Sequence, residues 1–152
     1  MEAAQSTFIS STFWTERIGS TAALKTLDVM ESLKSWEVIT DKGLTIKARW
    51  LDLAAKHNLP IETFGLASLA KFKFNHRSNS LFKTIITNLM LEQGFLAANS
   101  VYVSVAHTPE IIDKYFSSLD PVFGIIRDCI NGDDTRKYLQ SSVAHSGFTR
   151  LN

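Results

Sequence analysis

The run Ala70-Lys71-Phe72-Lys73-Phe74 alternates apolar and cationic side chains. On a strand, a period of two places Ala70, Phe72 and Phe74 on one face and both lysines on the other. Such a strand has one dry face and one wet face, so whatever packs on it covers one side only. Ile61 to Phe64 precede it, and Gly65 between them predicts a bulge or a turn. A second alternation, Val101, Val103 and Val105 with Tyr102 and Ser104, predicts another strand.

The other apolar residues recur at helical steps. Ala23, Leu24, Leu27, Met30 and Leu33 predict a first helix from Glu16 to Leu33 with one buried stripe, entered through Thr15 as cap. Ser35 offers the next cap, and Ile39, Ile46, Trp50 and Leu53 mark one face of a helix over about residues 36–57, stopped by Asn58 and Pro60. Gly43 lies on that stripe, at a cost of about 1 kcal/mol against Ala unless another element packs closely there. Ser78-Asn79-Ser80 opens a third helix carrying Phe82, Ile85, Ile86, Leu89 and Met90, with Gly94 at its close. Thr108-Pro109-Glu110 is a hydroxyl cap, a proline at the first turn and an acid behind it. The helix that follows buries Ile112, Tyr115, Phe116, Leu119, Phe123 and Ile126, kinks at Pro121 and ends at Asn131-Gly132-Asp133. Tyr138, Leu139 and Phe148 are the few anchors of a polar tail. Long helices segregated from a short sheet predict an α+β fold: a small antiparallel sheet with helices on one face, preceded by a long helix.

The 152 residues and 45% hydrophobic content suffice for one ordinary core. A net charge of +1 gives no long-range field toward nucleic acid or an anionic membrane. No apolar run approaches the roughly 20 residues that cross a bilayer, and no basic-then-apolar leader opens the chain. With a single cysteine, Cys129, the chain is expected to be cytoplasmic. None of the four histidines makes a metal-ligand spacing, so no metal site is expected; His107, just before a helix cap, reads as structural and Cys129 as a buried thiol. Lys71 to Arg77 is a basic–aromatic cluster, but its phenylalanines and lysines fall on opposite faces and cannot form one stacking platform.

Ahead of the first helix stands Phe8-Ile9-Ser10-Ser11-Thr12-Phe13-Trp14-Thr15-Glu16-Arg17-Ile18-Gly19. Its hydroxyls at a helix entrance suit either a capped helix or a phosphate. With Ala22-Ala23-Leu24, and with Tyr102-Val103-Ser104-Val105-Ala106-His107-Thr108 further on, it resembles the C-terminal part of class III, fold-type I pyridoxal-phosphate aminotransferases, nearest the glutamate-1-semialdehyde aminomutase branch. The resemblance covers most of the chain. It implies a homodimer acting on amino-group donors and acceptors, with pyridoxal 5'-phosphate in the complete enzyme. Thr12 is the position implied to meet the phosphate held by the partner subunit. The family's Ser-Gly-Asn is here Trp14-Thr15-Glu16. No lysine precedes Lys25, so the cofactor lysine is implied to lie upstream, no residue of this chain is expected to be catalytic, and the isolated chain is expected to be inactive. The implied layout is a loop and bridging helix over 1–34, a small α/β domain over 35–134 and a tail over 135–152. Exposed apolar surface is expected where such a domain meets its neighbours, from Phe8, Phe13, Trp14 and Trp50. From a different class, a stand-alone, non-catalytic interaction module of ferredoxin-like form fits the same element order.

Overall fold

The computed structural model describes residues 16–144. The chain divides into two compact units, Met1–Ser35 and Trp36–Asn152.

Helix α1 (Ile18–Leu33) belongs to the first. It starts two residues after the expected Glu16; Arg17 occupies the N-cap without a side-chain bond, and Thr15 lies outside the described residues. Lys34 closes it in the left-handed conformation, its N–H donating to the Glu31 and Met30 carbonyls. The expected buried stripe is not buried. Leu24, Leu27, Met30 and Leu33 are all exposed, because a single helix has no second surface of its own on which to hide an apolar face.

In the second unit, α2 (Ser35–Lys56) leads into strands β1 (Ile61–Phe64) and β2 (Leu69–Phe74), then α3 (Asn79–Glu92), β3 (Ser100–Tyr102), α4 (Pro109–Ile130) and a 3-10 turn (Thr135–Tyr138). Ser35 is the first helical residue rather than the cap that was expected. The sheet is antiparallel throughout in the order β1-β2-β3, with Phe64 opposite Lys71 and Leu69 opposite Tyr102. Gly65 turns the β1–β2 hairpin at φ 77°, and its carbonyl accepts from Lys47 Nζ at 2.6 Å.

Period two decides the two faces. Ala70, Phe72 and Phe74 are buried, whereas Lys73 on the outer face pairs with Glu62 at 3.1 Å. The dry face carries a cluster of rings: Phe72 stands 4.8 Å from Trp50 of α2 and 5.9 Å from Phe123 of α4, and Phe74 5.4 Å from Phe82 of α3. All three helices therefore cover one face, which is the α+β arrangement expected. Aromatic edge-to-face and tilted pairs of this kind add about 0.5–1.5 kcal/mol each beyond area burial. Trp50 corrects the expectation of an exposed patch. It is 0% exposed, since with Ile46 and Ala54 at four-residue steps it points straight at β2.

Gly43 meets the stated condition. A Cβ there would lie 1.9 Å from the Ala67 carbonyl oxygen, so the hairpin loop packs directly on the helix backbone. Helix α4 buries all six expected residues together with Val122 and Cys129, and continues past the exposed Pro121 to Ile130. Strand β3 is shorter than its alternation. It stops at Tyr102, because Ser104 and His107 build a turn: the Ser104 N–H donates to His107 Nδ1 and the His107 N–H to the Ser104 carbonyl. Tyr138 and Leu139 pack against the core, and the Ala144 N–H donates to buried Thr84 Oγ1.

Candidate functional site

Thr12 lies outside the described residues, as do Phe8, Phe13 and Trp14. What the described residues assemble was not singled out from the sequence.

The α2–α4 seam carries the first constellation. Asp120 Oδ2 takes Lys56 Nζ at 2.5 Å, and Asp120 Oδ1 takes His57 Nε2 at 2.6 Å. A carboxylate only accepts, so Nε2 donates, and His57 Nδ1 is left buried without a partner beside Gly124. Lys56, then His57, hold the Asp120 carboxyl below its usual range. A turn away, Arg49 pairs with Asp113 at 2.6 Å and lays its guanidinium 4.2 Å over the Phe116 ring. Asp120 and Asp113 each have a cation across the seam, which ties α2 to α4. The partners stand more than sixty positions apart in the chain, and no local spacing announces them.

The second feature is a cavity of about 300 Å³ where α2 and α4 meet the edge strand β3. Ile46, Ile112 and Tyr115 form its buried wall; Leu96, Tyr102 and Ile111 form an exposed rim. Leu96 is 96% and Tyr102 78% exposed, so part of the exposed apolar surface sits here, while Trp50 contributes none. The lining carries no Asp, Glu, Lys or Arg. Its polar groups are neutral. Tyr115 Oη accepts the Trp50 indole N–H at 3.0 Å, and burial pushes the Tyr115 phenol well above its ordinary value. His107 spends Nδ1 on the Ser104 amide, the structural part expected of it, which leaves Nε2 as the protonated nitrogen.

The other candidates fall into place. Cys129 is buried, and desolvation raises its thiol above the ordinary value, away from the reactive thiolate. Phe72 and Phe74 face the core while Lys73 faces out, so the basic cluster is split between two faces. Among the described residues there is no group of three His, Cys, Asp or Glu side chains placed to hold a metal, and no helix is long and apolar enough to cross a membrane. Every lysine of the chain lies among the described residues and none is buried. Lys42, Lys47, Lys56, Lys73 and Lys137 are engaged with carbonyl or carboxylate oxygens. A desolvated, oriented amine is what a carbonyl cofactor needs, so these residues do not fit a covalent pyridoxal phosphate site.

No family model matches the chain. In sequence it is similar to the 2'-deamino-2'-hydroxyneamine transaminase of Streptomyces kanamyceticus, at 25% identity over 113 residues, which are 72% of this chain and 29% of the transaminase. In fold it is similar to the FumI protein of Sphingopyxis sp. MTA144 in its PLP internal aldimine form, with a TM-score of 0.72 at 18% identity over 90% of this chain and 33% of that one. The chain thus spans about a third or less of the proteins it matches, and its fold is that of one part of a pyridoxal-phosphate protein.

Proposed function

We propose that this chain is the C-terminal part of a class III, fold-type I pyridoxal-phosphate aminotransferase or aminomutase, nearest the glutamate-1-semialdehyde aminomutase branch. The observation that carries the reading is the fold likeness, which runs over 90% of the chain, through both the helices and the sheet. The similarity to a transaminase supports it independently. In this reading residues 35–134 are a small domain that closes over the substrate cleft, 1–34 bridge to a large domain, and 135–152 form a tail. Thr12 reaches across a homodimer and donates to the cofactor phosphate of the partner subunit, in the cytoplasm. In this reading the side chain that holds the cofactor covalently comes from an upstream region, which agrees with the absence of a buried lysine here.

The test is the complete reading frame. Sequencing upstream should reveal a lysine following a strand. Reduction of the whole protein with borohydride in the presence of pyridoxal phosphate should then label that lysine alone. A frame without such a region, or labelling spread over surface lysines, overturns the reading in favour of the stand-alone interaction module.

A further inference from the structure

The cavity beside β3 is lined without any Asp, Glu, Lys or Arg side chain. Tyr115, nine-tenths buried, accepts from Trp50, yet no described residue accepts its own proton. His107 also lines the cavity, and with Nδ1 engaged by the Ser104 amide its Nε2 is left as a donor. Ser100 and Tyr102 bring hydroxyls to the lining, and the rest of it is apolar, with Ile46, Ile112, Ala97, Leu96 and Ile111. We propose that this cavity binds a small neutral carbonyl compound with an apolar body, its oxygen accepting from Tyr115 and His107.

Three ligand chemistries compete, and the lining decides among them. A hydrocarbon would fill the space but leave the buried Tyr115 proton unpaired. A carboxylate would satisfy the donors but lose its hydration with no cation in the lining to meet it. A ketone asks only for donors, and burial keeps the Tyr115 phenol protonated through the neutral range. The volume, about 300 Å³, is at the small end of ligand pockets. This inference does not rest on the aminotransferase reading, and its test uses no cofactor.

The 152-residue chain, isotopically labelled at isoleucine methyls, is titrated with acetophenone, ethylbenzene and benzoate. Acetophenone should shift the Ile46, Ile111 and Ile112 methyls saturably. Benzoate should bind about tenfold more weakly, and ethylbenzene, which forms neither of the two hydrogen bonds, about a hundredfold more weakly, at roughly tenfold per bond. Tyr115→Phe should weaken acetophenone by about tenfold, leaving it between the parent and ethylbenzene, while ethylbenzene binding is unchanged. That variant also removes the acceptor of the Trp50 N–H, so Ile111→Trp, which blocks the mouth and leaves the buried wall intact, is the second variant. It should abolish the shifts. Absence of saturable shifts at these isoleucines, equal binding of all three probes, or binding that survives Ile111→Trp would each overturn the proposal.

Discussion

At the scale of single residues, Gly43 has the sharpest consequence. In an open helix Gly→Ala stabilises by about 1 kcal/mol. Here the new Cβ would fall 1.9 Å from a backbone oxygen, and a carbonyl in a hairpin loop cannot rotate away as a side chain does. Gly43→Ala should therefore destabilise, by about 3 kcal/mol or more, at the upper end of ordinary overpacking. A midpoint in urea equal to or above the parent's would show that the loop does not sit on α2. Asp120 has a different signature. Its folded pKa is depressed, so the stability it contributes is fully present above the unfolded value of about 3.9 and is lost as the pH falls through the folded one. Asp120→Ala removes the acceptor of the nearly buried His57 Nε2–H and should cost about 1–3 kcal/mol at neutral pH. The gap to the parent should narrow on acidification below about pH 4, where the parent carboxylate also begins to be neutralised. A gap independent of pH in acid titrations would mean that the seam is not held by this charge. Thr12 has its test in the complete enzyme proposed above. If it donates to the partner's phosphate, Thr12→Ala should weaken cofactor binding by roughly 1.5–3 kcal/mol, the range for a bond to a charged group. Unchanged cofactor dissociation would reduce the loop to a helix entrance.

Among the elements, α4 organises the core, because its buried face meets both α2 and the sheet. Phe116 stacks edge-on to Tyr115 at 5.0 Å and carries the Arg49 guanidinium on its ring. Phe116→Ala should cost about 3–5 kcal/mol in denaturant titration; a loss under about 1 kcal/mol would mean that the face is wrongly placed. This helix was legible beforehand, for its cap, its proline and its stripe are all local. So was β2, where alternation is unambiguous. The misses are tertiary. Val103 and Val105 continue a strand pattern, but the Ser104–His107 turn wins over β-propensity. Leu24 and Leu27 of α1 have the spacing of a buried stripe, and spacing cannot say whether a second surface exists to bury it. Trp50 was placed on the correct stripe and yet also counted as surface; its ring contact with Phe72 decides for the core. The Asp120 constellation and the cavity join residues from distant parts of the chain, and periodicity carries no signal for such meetings.

For the whole molecule, the question is what a chain spanning 29% of one matched protein and 33% of the other can do by itself. Transamination needs a carbonyl cofactor held by an amine whose pKa is lowered by burial and whose direction is fixed by a pocket. None of the lysines of this chain is buried. Lys137 illustrates the opposite tendency: Asp133 and Tyr138 push its ammonium above the ordinary value, which makes it a poorer nucleophile. Pyridoxal phosphate added to the isolated chain should therefore react slowly and at several exposed lysines. After borohydride reduction, mass spectrometry of peptides should find substoichiometric labels distributed over the surface, with no saturable absorbance band and no turnover of an amino donor. Thr12→Ala should leave that pattern unchanged, since the phosphate contact proposed for it would need a large domain and a partner subunit to act on. A single lysine labelled one-to-one, with a band that saturates, would instead locate a cofactor site within these 152 residues and would require a buried amine that the fold does not contain.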